Sequence, residues 1–365
     1  MDPIGLYLHI PFCLRKCPYC DFYSLPAQEN ILDSYVDALR KYILAWGERL
    51  KRRADTCYFG GGTPSLLGAG RIAALLHEAK EAFGLKDAEI TVEVNPATVD
   101  QKDLADLYQC GVNRLSIGLQ SGIEGELRGL GRLHSAEQAA KTVSWARQTG
   151  FKNLSLDLMI ATPNQTITSL TRSIDFCISL NPEHISAYLL KIEPDTAFGK
   201  RPPTGLPDEE LERELYLTAC KQLEEKGLLQ YEISNFARPG KESQHNLKYW
   251  DGQEYLGLGP SAHSFLNGRR FYYPRDLSSF LAGAVPKEDG TGGDFEEYAM
   301  LRLRLADGLR ETAVRKRFGC GIPEAMKSTA KKLAAGGLIH LLPDGFALTR
   351  EGMLVSNAVI AALLG

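Results

Sequence analysis

The sequence has no second C-x2-C pair, and five of its eight cysteines (Cys57, Cys110, Cys177, Cys220 and Cys320) stand singly. That excludes a structural zinc site assembled from two separated pairs. Nor is there an apolar run of the roughly 18 residues that a membrane-spanning helix needs. The nearest candidate, Met353 to Leu364, is shorter and broken by Ser356 and Asn357. Basic charge is not in excess: the net charge is −3, so nucleic acid is not the default partner. The glycine-rich turn at Gly60-Gly61-Gly62 lacks the spacing and the lysine of a phosphate-binding loop. Met1–Leu6 leaves no room for a basic region and an apolar signal core. A cytoplasmic protein with reduced thiols is therefore expected.

What is present reads as an ordinary globular chain. Hydrophobic residues make up 44% and charged residues 24% of 365, enough for one large domain with an appendage or for two domains. From Leu6 to about Lys191, short apolar runs alternate with longer helical patterns, which predicts βα units and a parallel sheet. Strands are expected at Leu6–Ile10, Thr56–Phe59, Glu89–Val94, Arg114–Leu119, Asn153–Met159 and Ile185–Leu190. The helices between them are expected to end at Gly84, Gly111 and Gly150, where a left-handed residue closes the last turn. Periodicity alone does not separate a partial barrel from a doubly wound open sheet. We place divisions at 1–193, at 194–290 (opening on the proline-rich connector Pro194–Pro207) and at 291–365. A strand is expected at Tyr231–Asn235 and a helix–hairpin–helix pattern after Glu297.

The chemistry concentrates in Tyr7–Phe22, YLHIPFCLRKCPYCDF, where Cys13, Cys17 and Cys20 follow the first strand in a C-x3-C-x2-C spacing. Three soft thiolates on one loop can close on a metal centre without supplying a fourth ligand. Iron–sulfur clusters take such ligands. A zinc ion completed by His9 or Asp21, or three buried thiols, would use the same residues. Further polar residues fall at the ends of successive strands, where parallel α/β folds place ligand sites. They are Gly61, Gly62 and Thr63, then Glu93, Gln120 and Arg132, and Asp157 within the fifth strand. His134, before a helix, reads as a cap or a surface residue.

The run Cys13, Cys17, Pro18, Tyr19, Cys20 resembles the radical S-adenosylmethionine (radical SAM) signature. The longer string Y-x-H-I-P-F-C, Tyr7 to Cys13, is similar to that of the anaerobic coproporphyrinogen III dehydrogenases and the HemW-type haem chaperones. The resemblance implies a partial (βα)6 TIM-like barrel whose open side is covered by a C-terminal α+β winged-helix-like domain. It also implies a 4Fe-4S cluster on the three cysteines, with SAM on the open iron. Tyr7, Tyr19, Gly61, Gly62, Thr63, Glu93, Gln120, Arg132 and Asp157 match SAM-contacting positions. Tyr19 is expected near the adenine, and Arg132 is expected to pair with the SAM carboxylate.

Two departures separate the chain from the dehydrogenases. Phe22 stands where they carry a further cysteine, and only a few residues precede the first strand. Both match the chaperones, whose cargo is haem and whose partners would be a haem donor and apo-haemoproteins such as respiratory enzymes. Membrane contact is expected to be peripheral at most, and a cluster-dependent homodimer is conceivable. The second motif is Gln244–Trp250, with His245, Asn246, Tyr249 and Trp250. From the residues alone it is either an axial ligand between aromatic faces or an aromatic patch packing the end of the barrel. H-N-x-x-Y-W marks the chaperone branch, which implies haem contact, and His263 is a second ligand candidate.

Overall fold

A computed structural model describes residues 2–365. Six parallel strands carry the N-terminal half: β1 Ile4–Ile10, β2 Ala54–Gly61, β3 Glu89–Val94, β4 Arg114–Gln120, β5 Leu154–Ile160 and β6 His184–Leu189. Each returns to its neighbour through a helix on the outer face, the usual solution for adjacent parallel strands. The helices Glu29–Leu50, Ala69–Phe83, Gln101–Cys110, Ala136–Thr149 and Ile167–Ser179 lie where apolar residues recur at helical spacing. Capping boxes at Asp100, Ser135 and Thr166 fix three of their starts. Gly84, Gly111 and Gly150 end helices in the left-handed region, as expected.

The sheet continues past both ends of this run. β7 Leu229–Gln230 and β8 Asn235–Ala237 add antiparallel strands beyond β6. The strand expected at Tyr231–Asn235 is instead the turn between them. Glu232 Oε1 accepts from the Ser234 N–H at 3.1 Å and from the Asn235 side chain, closing that turn. On the other side, β9 Tyr255–Leu258 pairs parallel to β1 and leads into the antiparallel β10 His263–Leu266, β11 Arg269–Tyr272 and β12 Lys287–Thr291. The order is β12-β11-β10-β9-β1-β2-β3-β4-β5-β6-β8-β7, an open sheet of 12 strands with six of them forming the partial (βα)6 barrel.

The remainder is a winged-helix-like α+β unit with its own apolar core around Leu303, Val314, Met326, Ile339 and Phe346. Helices Phe295–Arg302, Glu311–Phe318 and Glu324–Ala335 precede a hairpin of Ile339–Leu342 and Gly345–Leu348, and two short helices follow. It reaches both flanks of the barrel. The Ala306 N–H donates to Tyr231 O at 2.9 Å beyond β6, and Arg302 pairs with Asp251 ahead of β9. Its basic residues are largely spent internally: Arg315 and Lys327 pair with Glu311, and Arg317 lies over the Tyr298 ring at 4.8 Å. No helix among the described residues is long and apolar enough to cross a membrane.

Candidate cluster and cofactor site

The loop after β1 carries Cys13, Cys17 and Cys20, all half-buried. Two of the sulfurs receive donors from other strand ends: Thr63 Oγ1 donates to Cys13 Sγ at 3.5 Å, and Arg132 Nη1 to Cys17 Sγ at 3.7 Å. Burial pushes the Cys20 thiol up to about 11. Tyr19 packs beside Leu130, Met159, Leu190, Ile192 and Phe198, which anchors the loop to the ends of β5 and β6. The proline-rich connector joins this contact, the Phe198 N–H donating to Pro18 O at 2.9 Å.

A zinc ion would need a fourth ligand, and both candidates are committed elsewhere. His9 Nε2 donates to Tyr23 O at 2.9 Å, which leaves Nδ1 to accept from Tyr7 OH at 3.0 Å. Burial lowers its pKa to about 4 and keeps it neutral. Asp21 lies 3.7 Å from the Arg275 guanidinium. Three thiols on one loop, two of them facing donors that would stabilise thiolate, fit a cluster that leaves one iron to a small ligand.

The glycine turn after β2 is shaped by close approach. Gly61 has φ +111°, and a Cβ there would overlap the His9 ring. A Cβ on Gly62 would come within 2.7 Å of Phe12 O. The N–H groups of residues 61, 62 and 63 are all used internally, by Glu93 Oε2 (3.1 Å), Ile10 O (2.8 Å) and Phe12 O (2.7 Å). With its donors spent, this turn offers a ligand carbonyl oxygen, which suits an ammonium and not a phosphate.

Glu93, half-buried at the end of β3, also accepts from Tyr58 OH at 2.9 Å. Its carboxyl is pushed up to about 7, first by burial and then by the charge of Asp157. Asp157, which accepts from Ser116 Oγ at 3.1 Å, is raised by burial to about 6. The folded chain thus holds the Glu93 proton across an interval in which the unfolded chain has lost it. Folding takes up a proton there, so this group's contribution to stability falls as pH rises from the ordinary carboxylate value of about 4.3 toward 7, then levels off. Glu93→Gln should flatten that slope, as read by denaturant unfolding of both proteins at about pH 5 and pH 8.

Gln120 ends β4 in the left-handed region (φ +70°), and the β4–β5 register shifts between Ile117 and Gln120. Two side chains from the following loop hold this bulge by successive carbonyls. Arg132 Nη2 donates to Gly118 O at 2.9 Å, and His134 Nε2 to Leu119 O at 3.0 Å. His134 is therefore neither a cap nor a surface residue but a buried strut. Arg132 Nε is buried without a hydrogen-bond partner among the described residues. Removing the strut by His134→Ala leaves a buried carbonyl unpaired, at a cost of about 1–3 kcal/mol. The loss should appear as a lower urea midpoint, with part of it restored by His134→Gln.

Two family models match the chain: the radical SAM superfamily over residues 7–177 and the HemN C-terminal domain over 294–355. The heme chaperone HemW of Bacillus subtilis is 35% identical, over 98% of this chain and 98% of that one. HemW of Escherichia coli is 36% identical over 100% and 99%. The chain belongs to the HemW family. The coproporphyrinogen III oxidase HemN from Escherichia coli shares the fold of this HemW-family chain, with a TM-score of 0.85 at 23% identity over 99% of this chain and 90% of that one.

The H-N-x-x-Y-W helix, Gln244–Trp250, lies at the opposite end of the HemW-family barrel from the cysteines. The N–H groups of Gln244 and His245 donate to Glu89, the first residue of β3, and Lys248 pairs with Asp55 near the start of β2. His245 is 1% exposed with both ring nitrogens engaged, by Thr56 Oγ1 at 2.8 Å and Tyr249 OH at 2.7 Å. Its ring stacks on Tyr58 and Tyr7, and burial lowers its pKa to about 3. In this structure His245 thus presents no free ring nitrogen. The patch packs the base of the barrel, and Asn246, Tyr249 and Trp250 are half-buried with it. His263 is exposed against Tyr272 on the antiparallel flank. Sequence reading missed Tyr58 and Ser116 and misread His134. The first two were legible as positions alternating with Cys57 and Leu115 along strands, pointing into the barrel.

Proposed function

We propose that this chain is a haem chaperone that holds a 4Fe-4S cluster and SAM at the strand ends and passes haem to apo-haemoproteins. The observation that carries the reading is end-to-end likeness to chains named heme chaperone, together with a three-cysteine loop whose sulfurs meet Arg132 and Thr63 from other strand ends. Cys13, Cys17 and Cys20 would hold the cluster. When bound, it supplies a low-potential electron and an open iron for the amino acid end of SAM.

The chain's own residues bind and orient. The carbonyls of the Gly61–Gly62 turn are suited to the SAM ammonium, and the Arg132 guanidinium, with Nε unpaired, to its carboxylate. Glu93 retains lone pairs beside those used by Tyr58 and Gly61, which suits a ribose hydroxyl. Tyr19 and the connector at Phe198 shield the loop from water. The haem donor and the acceptor proteins belong to the same proposal.

The test supplies anaerobically reconstituted protein with SAM, reductant and either haem or coproporphyrinogen III. Stoichiometric haem binding with a Soret shift is the expected result. Protoporphyrinogen formation at enzymatic turnover would replace the chaperone reading with that of a radical SAM decarboxylase.

A further inference from the structure

With His245 closed in at the base, the haem reading lacks a seat, and the surface around the cysteine loop offers one. Two of the chain's large exposed apolar side chains lie on this loop, Leu14 (52% exposed) and Phe22 (68%). A third, Leu133 (49%), lies on the loop that carries Arg132 and His134. Cationic side chains tie the segments together at the same end of the barrel. Arg15 Nη2 donates to Gly131 O at 2.6 Å, Lys16 Nζ to Phe22 O at 2.9 Å, and Arg275 Nη2 to Asp21 O at 2.8 Å. Arg15 and Lys16 bond here to carbonyls, which leaves their charge uncompensated, whereas Arg275 also faces the Asp21 carboxylate at 3.7 Å.

We propose that haem docks on this rim, its ring face on Leu14, Phe22 and Leu133 and its propionates toward Arg15, Lys16 and Arg275. The proposal rests on the haem reading above and names its site. Single exposed apolar residues are ordinary, but these three lie on segments that the Arg15–Gly131 and Lys16–Phe22 bonds draw together, and grouped apolar exposure marks a binding surface. A flat apolar macrocycle bearing two carboxylates matches apolar residues ringed by cations in both surface type and charge.

The experiment titrates haem, and separately haem dimethyl ester, into the anaerobically reconstituted full chain. Two double variants are compared with the parent, Leu14→Ser with Phe22→Ser and Lys16→Gln with Arg275→Gln. Iron and sulfide content confirms that the loop is intact. The serine pair should weaken both ligands about tenfold or more, because each loses apolar contact with the ring. The glutamine pair should weaken haem to a similar degree and leave the ester unmoved. It also decides the matter alone if the serine pair loses its cluster. Unchanged affinity in the glutamine pair overturns the seat and leaves the chaperone reading standing, including the case in which only transfer to an apo-protein is lost. Failure of the parent to bind haem overturns both.

Discussion

Cys17→Ala should leave the anaerobically reconstituted protein with less than about a tenth of the parent's iron and acid-labile sulfide, because a cluster held by three protein thiolates does not survive on two. The same substitution removes the sulfur that Arg132 Nη1 meets at 3.7 Å, so the guanidinium loses one of its two fixed partners. SAM binding should therefore disappear along with the visible absorbance of the cluster. Cys320→Ala, at an exposed position in the C-terminal unit, is the control and should change neither quantity. Parent-level iron and sulfide in Cys17→Ala would refute the assignment of the loop as a cluster site.

Gly61→Ala is expected to be strongly destabilising. The residue combines φ +111° with a Cβ position inside the His9 ring, and that ring cannot withdraw freely because it bonds both Tyr23 O and Tyr7 OH. Backbone strain and overpacking together should cost about 3 kcal/mol or more, read as a lower midpoint in urea at unchanged m. SAM affinity should fall with it, since the turn would have to move relative to Glu93. Gly68→Ala separates the two causes. Gly68 has φ +77° and ψ 154° with nothing within 4 Å of its Cβ, so only the backbone strain, on the order of 1–3 kcal/mol, remains. Equal losses in the two variants would show that the His9 contact contributes nothing.

Much of the ligand end was legible in the sequence for a physical reason. Strands buried by helices on one face and by the barrel interior on the other are written as apolar runs, and polar residues in them or at their ends stand out against that background. Glu93 and Gln120 were visible in this way, Asp157 as a carboxylate inside an apolar strand, and β3 has the bounds expected for it. The outer strands were harder to see. β9 is four residues long with a glycine inside it, and its pairing with β1 bridges a separation in sequence that no local pattern encodes. Tyr231–Asn235 has strand-like residues yet turns, because Glu232 is drawn inward by backbone and side-chain donors two and three residues ahead.

His245 and His134 show what residue type alone leaves open. Each was read from its sequence neighbours, and each is decided by which end of a distant strand it meets. The helix bearing His245 meets the first residues of β2 and β3, where Thr56 and Glu89 await it. His134 meets the last turn of β4 and a bulge that exists only in three dimensions. Local spacing carried the cluster loop because all three thiols come from one short segment. It could not carry the struts, whose partners lie 15 or 189 residues away.

The stacked rings of Tyr7, Tyr58 and His245, with Tyr249 against the last, stop the barrel like a cork. The base is thus closed to a ligand by packed rings. On the seat proposed above, haem would share the strand-end side of the barrel with SAM, so an acceptor protein drawing haem from that rim would also cover the approach to SAM. Delivery and cofactor exchange would then alternate.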